Sequence, residues 1–300
     1  MNGADSNHPQ SGFALVAVLG LVLVASAILV PFSISARLRA LTAENALRSF
    51  RYSRLEKTLS LHVAGQLATR RKHGDIDIPQ ADGMSRCDLG EYSITLGVQD
   101  HAGLIDLNKA GIPLLNIGFQ ALGFSEENAS TLALATDNYR RPDRRAEREL
   151  PAELVGETGY KHAAFEDVIE LQDLVALQSV SPAAIANVFT VQTGSRTLSS
   201  KAVSDAINRV LESRASGSLP LSVSTAKPPA VTIFVRLFRN QKLEASSATV
   251  FDLSDDGFAY VASLPTVSEE AETAAYFGRD LPCGDFIAEP MLTAVADALK

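Results

Sequence analysis

An uncharged apolar segment near the N-terminus constrains this chain more than any other feature. It runs for twenty residues, from Phe13 to Phe32, and a helix of that length spans about 30 Å, the thickness of the hydrocarbon core of a bilayer. A secretory signal peptide would have a shorter apolar centre that ends at a small-residue cleavage site. Here the small residue, Gly12, precedes the apolar segment. The pattern predicts a membrane-spanning helix at 13–32 after a short polar leader at 1–12.

The helical pattern continues beyond this segment. Near-helical spacing connects a further set of apolar residues: Ile34, Leu38, Leu41, Leu55, Leu59, Val63 and Leu67. Basic residues lie between them, and Arg70, Arg71 and Lys72 are suited to the negative end of a helix dipole. We therefore expect the same helix to extend, as an amphipathic segment, over 33–73.

The rest of the chain has a β pattern at both ends and a helical pattern in the middle. Alternation at 91–98 predicts one strand, and the runs at 231–238, 248–253 and 258–262 predict an antiparallel meander. Helical apolar spacing occurs at 114–122 and 131–139. The combination of these helices and strands predicts an α+β fold class.

These features resemble the type IV pilin and pseudopilin superfamily, and in particular the type II secretion system protein K family of minor pseudopilins. Four segments carry the second resemblance: Gln99–Ala110, Asp137–Asp143, Ala164–Leu171 and Phe189–Val191. Most superfamily members have a glutamate at the fifth mature position, whereas protein K typically lacks it. Here that position is Ala17.

The resemblance implies a processing site and a domain division. A prepilin peptidase would cut after Gly12 and leave Phe13 as the first mature residue, which is often methylated in this superfamily. The resemblance also implies the architecture of the α+β fold: a long N-terminal helix packed on an antiparallel sheet, with a large inserted all-α domain. The first part of the pilin-like domain would occupy 74–107, the inserted helical domain 108–213, with a helix at 199–211, the remaining sheet 214–265 and a C-terminal tail 266–300.

The resemblance also implies a function without catalysis. The chain would be a minor pseudopilin at the tip of the type II secretion pseudopilus, where it initiates or caps assembly for the export of folded periplasmic proteins. Its partners would be the I-type and J-type minor pseudopilins, the major pseudopilin, the prepilin peptidase and the inner-membrane secretion platform. It would cross the bacterial inner membrane once, with its C-terminal domain in the periplasm.

Two sites for a metal or a cross-link follow from this placement. Protein K members can hold calcium in acidic loops, and the candidate oxygen ligands here are Asp137, Asp143, Glu147 and Glu149. Five arginines between 140 and 148 oppose a divalent ion, so an ion-paired loop is the alternative.

The chain has two cysteines, Cys87 and Cys283, which could form a disulfide in an oxidising compartment or remain two unrelated thiols.

No catalytic constellation is recognisable, and Asp100, His101 and Asp106 are interpreted as turn and cap residues. The net charge of −8 argues against nucleic acid as a main partner.

One alternative is a membrane-anchored DNA-binding protein of competence type, because the turn at Leu122–Phe124 resembles a helix-hairpin-helix. Glu126 and Glu127 would then lie beside the phosphate. A plain anchored periplasmic scaffold is the other alternative.

Overall fold

The computed structural model describes residues 10–73, 83–141, 159–200, 202–213, 221–222, 230–254, 256–265, 279–281 and 287–299. Its longest element is helix α1, Gln10–His73, which is the continuous helix that the apolar spacing predicts. Contacts divide the chain into two compact units, Met1–Arg51 and Tyr52–Lys300. The last part of α1, from Tyr52 to His73, therefore belongs to the second unit.

In the first unit, α1 exposes its apolar side chains. The large apolar residues from Leu15 to Phe50 are 49–73% exposed. Among the described residues, one helix is long and apolar enough to cross a membrane, with a mean hydropathy of 2.8 in its most apolar window. Such exposure is unfavourable in water and favourable in lipid, so this part of the helix is suited to a single-pass anchor.

The second unit contains the remaining elements. Along the described residues, the strands are β1 (Gly83–Leu89), β2 (Tyr92–Asp100), β3 (Ile105–Asp106), β4 (Phe189–Thr190), β5 (Leu198–Ser199), β6 (Leu221–Ser222), β7 (Ala230–Arg239), β8 (Lys242–Ser254), β9 (Gly257–Leu264) and β10 (Arg279–Leu281). The helices after α1 are α2 (Ile112–Ala121), α3 (Glu126–Tyr139), α4 (Pro182–Ala186), α5 (Asp205–Ser213) and α6 (Glu289–Leu299), with 3₁₀ turns at His101–Gly103, Val168–Asp173 and Val175–Leu177.

The main sheet has six strands in the order β10-β1-β2-β7-β8-β9. Neighbouring strands from β1 to β9 pair antiparallel, as the alternating pattern predicts, and β10 pairs parallel with β1. The sequence did not predict β1 or β10. β1 has the sequence GMSRCDL, which lacks apolar alternation, and β10 has only three residues.

The last part of α1 packs on this sheet. Its buried side chains include Leu59, Val63 and Leu67, each no more than 4% exposed. They form one cluster with residues of β2, β7, β8 and the C-terminal segment, among them Ile94, Leu96, Val98, Ile233, Val235, Leu237, Phe251, Leu253, Ile287 and Val295. The C-terminal segment, whose structure the sequence pattern left unassigned, thus supplies part of this core through α6.

A helical insert occupies the chain between β2 and β7. Its core is a second cluster, formed mainly by α2, α3, α4, α5 and the 3₁₀ turns. Ser125 caps α3, because its hydroxyl accepts a hydrogen bond from the amide of Asn128 at 3.3 Å. Asp167 and Glu170 form a capping box at Val168–Asp173, in the segment Ala164–Leu171 that carries part of the family resemblance.

One glycine in α2 allows the insert to close around an aromatic pair. A Cβ atom on Gly118 would lie 2.5 Å from the Phe189 ring and 2.8 Å from Ile105 Cδ1. Phe189 in turn packs on Phe119, with ring centroids 5.1 Å apart. The fully buried ring of Phe189 therefore occupies the space that a side chain at position 118 would need.

One carboxylate oxygen in the buried part of α1, Oε1 of Glu56, has no hydrogen-bond partner among the described residues. Glu56 is 7% exposed. Burial raises the pKa of Glu56 to about 7, because a charged carboxylate loses its hydration there.

We expect Gly118→Ala to destabilise the full-length chain in detergent micelles by about 1–3 kcal/mol, because the added methyl group overpacks the Phe189 contact. Thermal melting followed by circular dichroism measures the change. Gly65→Ala in α1 is the matched control, since its Cβ would lie 3.5 Å from Phe258, at ordinary contact distance. Equal melting temperatures for Gly118→Ala and the wild type would contradict the packing described here.

We expect Glu56→Gln to raise the melting temperature at pH 8 and to have little effect near pH 4.5. The folded-state pKa of Glu56 is raised to about 7, so its stabilising contribution is complete below pH 4.5 and is lost as the pH rises through 7. Glutamine imitates the protonated acid at every pH. Glu44→Gln is the control, because Glu44 is an exposed partner of Arg48; a pH-independent shift in Glu56→Gln would refute the burial argument.

Candidate functional site

Buried polar side chains are concentrated where the insert leaves the sheet, in a region that we call the junction: residues 99–106, 187–194 and Thr232. The carboxylate of Asp100 accepts a hydrogen bond from the amide of Ala102 at 2.8 Å and caps the 3₁₀ turn. Burial raises the pKa of Asp100 to about 6, and the Ala102 amide and the Arg71 charge act in the opposite direction. The hydrogen bond from the Ala102 amide supports the interpretation of Asp100 as a cap residue.

His101 connects two segments that are distant in sequence. Its Nδ1 atom lies 2.8 Å from Thr190 Oγ1 and its Nε2 atom 2.7 Å from Thr232 Oγ1. These threonines belong to β4 of the insert and β7 of the sheet. Sequence reasoning did not find this contact, because Thr190 and Thr232 lie 89 and 131 positions after His101 and no local pattern links them to it.

Asp106 is a fully satisfied buried carboxylate. Its Oδ1 atom accepts hydrogen bonds from the amides of Asn108 and Lys109, at 2.8 and 3.0 Å. Its Oδ2 atom accepts from Thr193 Oγ1 at 2.9 Å and from the amide of Gly194 at 2.7 Å. Four donors on a group that is 2% exposed indicate a structural role, in which Asp106 holds two loops together.

Asp137, the one predicted metal ligand within the described residues, takes part in ion pairs. Its Oδ1 atom lies 2.6 Å from Arg140 Nη2 and 2.9 Å from Arg141 Nη2. Arg140 also donates to the carbonyl oxygens of Leu107 and Ala110, at 2.5 and 2.6 Å. A buried guanidinium therefore already supplies the positive charge here, and like-charge repulsion opposes a divalent ion beside it.

The other predicted calcium ligands, Asp143, Glu147 and Glu149, lie outside the described residues. Within the described part of the chain, no group of three His, Cys, Asp or Glu side chains is placed to hold a metal ion. The calcium hypothesis therefore depends on those three residues.

The predicted processing site lies in the backbone of α1. Gly12 and Phe13 fall within Gln10–His73, and Ala17, the position at which most superfamily members have an acid, is exposed. No observation on the described residues tests the cleavage.

The α2–α3 connection has the geometry of a tight helical hairpin. Gly123 adopts a φ of 93°, which favours glycine. Glu126 and Glu127 form the first turn of α3 and are exposed. A phosphate at the N-terminus of α3 would meet these two carboxylates, and their repulsion would oppose its binding.

Cys87 is buried in the α1–sheet core, 2% exposed, and takes part in a disulfide bond. Cys283 lies outside the described residues, so its pairing with Cys87 remains a prediction. The strand register supports it. Paired residues of β1 and β10 are 196 positions apart, as in Ser85 opposite Leu281, and Cys283 follows Cys87 by the same number.

We expect Cys87 and Cys283 to be joined in the mature chain. Mass spectrometry of the full-length chain after alkylation without reductant should find no modified thiol and a cross-linked peptide pair. Reduction should lower the free energy of unfolding by about 2–5 kcal/mol, because the bond closes a long loop. Reductant should not change the melting temperature of Cys87→Ser; free thiols in the untreated wild type would exclude the bond.

A solved structure resembles this fold. The similarity is to a chain in the crystal structure of the GspK-GspI-GspJ complex from the enterotoxigenic Escherichia coli type 2 secretion system, with a TM-score of 0.50 and 12% sequence identity. The alignment covers 76% of this chain and 100% of that chain. No protein-family profile matches the sequence, and no curated protein matches it. At this identity the similarity concerns the fold alone, and the chain has a pseudopilin-like α+β fold.

Proposed function

We propose that this chain is a minor pseudopilin of the type II secretion system that acts at the tip of the pseudopilus. The observation that carries the proposal is the combination of an exposed apolar helix with a pseudopilin-like domain. The large apolar side chains of α1 remain exposed from Leu15 to Phe50, and 76% of the chain aligns with a chain of the GspK-GspI-GspJ complex. A helix of this kind is suited first to the membrane and then to a bundle of similar helices.

The proposed mechanism is assembly. The prepilin peptidase cleaves after Gly12, and the mature subunit waits in the inner membrane with its C-terminal domain in the periplasm. It then joins the I-type and J-type minor pseudopilins on the inner-membrane platform and starts the filament to which the major pseudopilin is added. Folded periplasmic proteins are exported across the outer membrane by this filament.

Two features of the chain support the tip position. Ala17 cannot supply the acid that would pair with the N-terminal amine of a neighbouring subunit. The insert between β2 and β7 adds a second hydrophobic core to the domain, and this added bulk would block the addition of a subunit above it.

The described residues also support a structural rather than a catalytic function. The buried carboxylates of Asp106 and Asp137 are engaged by hydrogen bonds or ion pairs. Calcium remains part of the proposal only through Asp143, Glu147 and Glu149, which would have to bind it without Asp137.

The test is the mature N-terminus together with partner capture. We expect the chain isolated from its own bacterium to begin at Phe13 with a methylated amine, and to co-purify with the I-type and J-type minor pseudopilins. Gly12→Val should block processing, whereas Gly20→Ala, within the same apolar segment, should not. Both results can be read by mass spectrometry of the membrane fraction.

Two outcomes would favour the alternatives. A chain that begins at Met1 and captures neither pseudopilin would indicate a plain anchored scaffold. A gel shift with duplex DNA that weakens steeply as salt increases would indicate the competence-type function, because phosphate binding releases counterions.

A further inference from the structure

The two points at which the chain passes between the sheet and the insert lie close to one side chain. The insert begins after Asp100, at the end of β2, and the chain returns to the sheet at Ala230, at the start of β7. β2 and β7 are neighbours, with Asp100 opposite Val231. His101 and Thr232 therefore mark the exit and the return.

The imidazole ring of His101 joins the exit, the return and the interior of the insert. The ring is 4% exposed, and the two threonines that it meets, Thr190 and Thr232, are 1% and 0% exposed. The ring-to-hydroxyl distances of 2.8 and 2.7 Å are those of good hydrogen bonds.

A neutral imidazole can form a hydrogen bond with each of the two threonine hydroxyl groups. One ring nitrogen donates a proton and the other accepts one, while each threonine hydroxyl can do either. The imidazolium form could also donate to both hydroxyls, but it would place a positive charge in a buried site where the ring nitrogens contact no carboxylate. Burial lowers the pKa of His101 to about 4, and Asp100, the adjacent acid, directs its carboxylate to the Ala102 amide.

Two nearby contacts leave the junction little freedom to move. A Cβ atom on Gly103 would lie 1.7 Å from the carbonyl oxygen of Ala202, so the turn after His101 touches the backbone of the insert. Gln99 donates from Nε2 to the carbonyl oxygen of Asn187 at 3.3 Å. The insert therefore approaches the exit strand on both sides of the histidine.

We propose that His101 is a positioning residue that fixes the orientation of the insert on the sheet by holding one threonine hydroxyl from each. A core-filling role alone would require neither hydroxyl, since an apolar ring would pack as well. The proposal concerns the isolated chain and goes beyond the proposed function. Processing at Gly12 and partner capture test the proposed function and do not test the role of His101.

The experiment compares Thr232→Val with Thr232→Ser in the full-length chain in detergent micelles. Valine has nearly the shape of threonine without the hydroxyl, whereas serine retains it. Hydrogen exchange is measured at the amides of Ile105 and Leu107, which donate to the carbonyl oxygens of Val188 and Thr190. We expect about tenfold faster exchange there in Thr232→Val, as for the loss of one buried hydrogen bond, and near wild-type exchange in Thr232→Ser.

Two controls separate positioning from general stability. Amides within α3 and within the β8–β9 pair should change less than twofold, because neither set of hydrogen bonds involves a strand that carries Thr190 or Thr232. Thr190→Val, which also removes the acceptor for the Gln192 amide, gives a second variant if Thr232→Val does not fold. Nitrogen NMR of the labelled histidines should show a neutral His101 ring at pH 5.5.

Three results would overturn the proposal. The first is wild-type exchange at Ile105 and Leu107 in both valine variants. The second is an equal acceleration at all protected amides, which would indicate a structural effect alone. The third is a His101 ring that titrates at the ordinary value near pH 6.5.

Discussion

The packing of the last part of α1 on the six-stranded sheet is the interaction on which the rest of the second unit depends. Leu59, Val63 and Leu67 bury one face of the helix against the three central strands, and each such side chain contributes about 1.5–3 kcal/mol relative to an exposed one. Because this helix covers one face, β2 and β7 can be central strands. Their neighbouring ends then determine where an insert can leave and return.

Buried polar groups connect distant segments of this unit. His101, Asp106 and Arg140 all bond across loops, and each reaches a segment at least 30 residues away. Unlike these, Glu56 lies in the α1–sheet core without a partner for Oε1. Satisfied polar contacts thus connect the loops of the insert and, through His101, join the insert to the sheet, whereas the buried face of the last part of α1 is mainly apolar.

Much of the architecture could be predicted from local patterns. The helical spacing from Phe13 to Leu67 predicted α1, and period-two alternation predicted β2, β7, β8 and β9. β1 was missed because it has no alternating pattern, and β10 because it has three residues and pairs with residues of β1 that lie 196 positions before it. The site was predictable only in part. Asp100 and Asp106 could be identified as cap and turn residues, but their depth of burial and the bonds of His101 to Thr190 and Thr232 could not.

The sequence by itself determined an apolar helix of membrane length, its continuation as an amphipathic helix, and an α+β domain, because these depend on the order of side chains along a single element. Only the tertiary structure decided which polar groups are paired. Asp137 was a candidate calcium ligand in the sequence, and its pairs with Arg140 and Arg141 have local helical spacing. Only the fold places the Arg140 guanidinium on the carbonyl oxygens of Leu107 and Ala110. His101 was an ordinary turn residue, and the fold placed it between two hydroxyls from distant strands. Pairing of this kind depends on the distance between residues in space, which a local pattern does not specify.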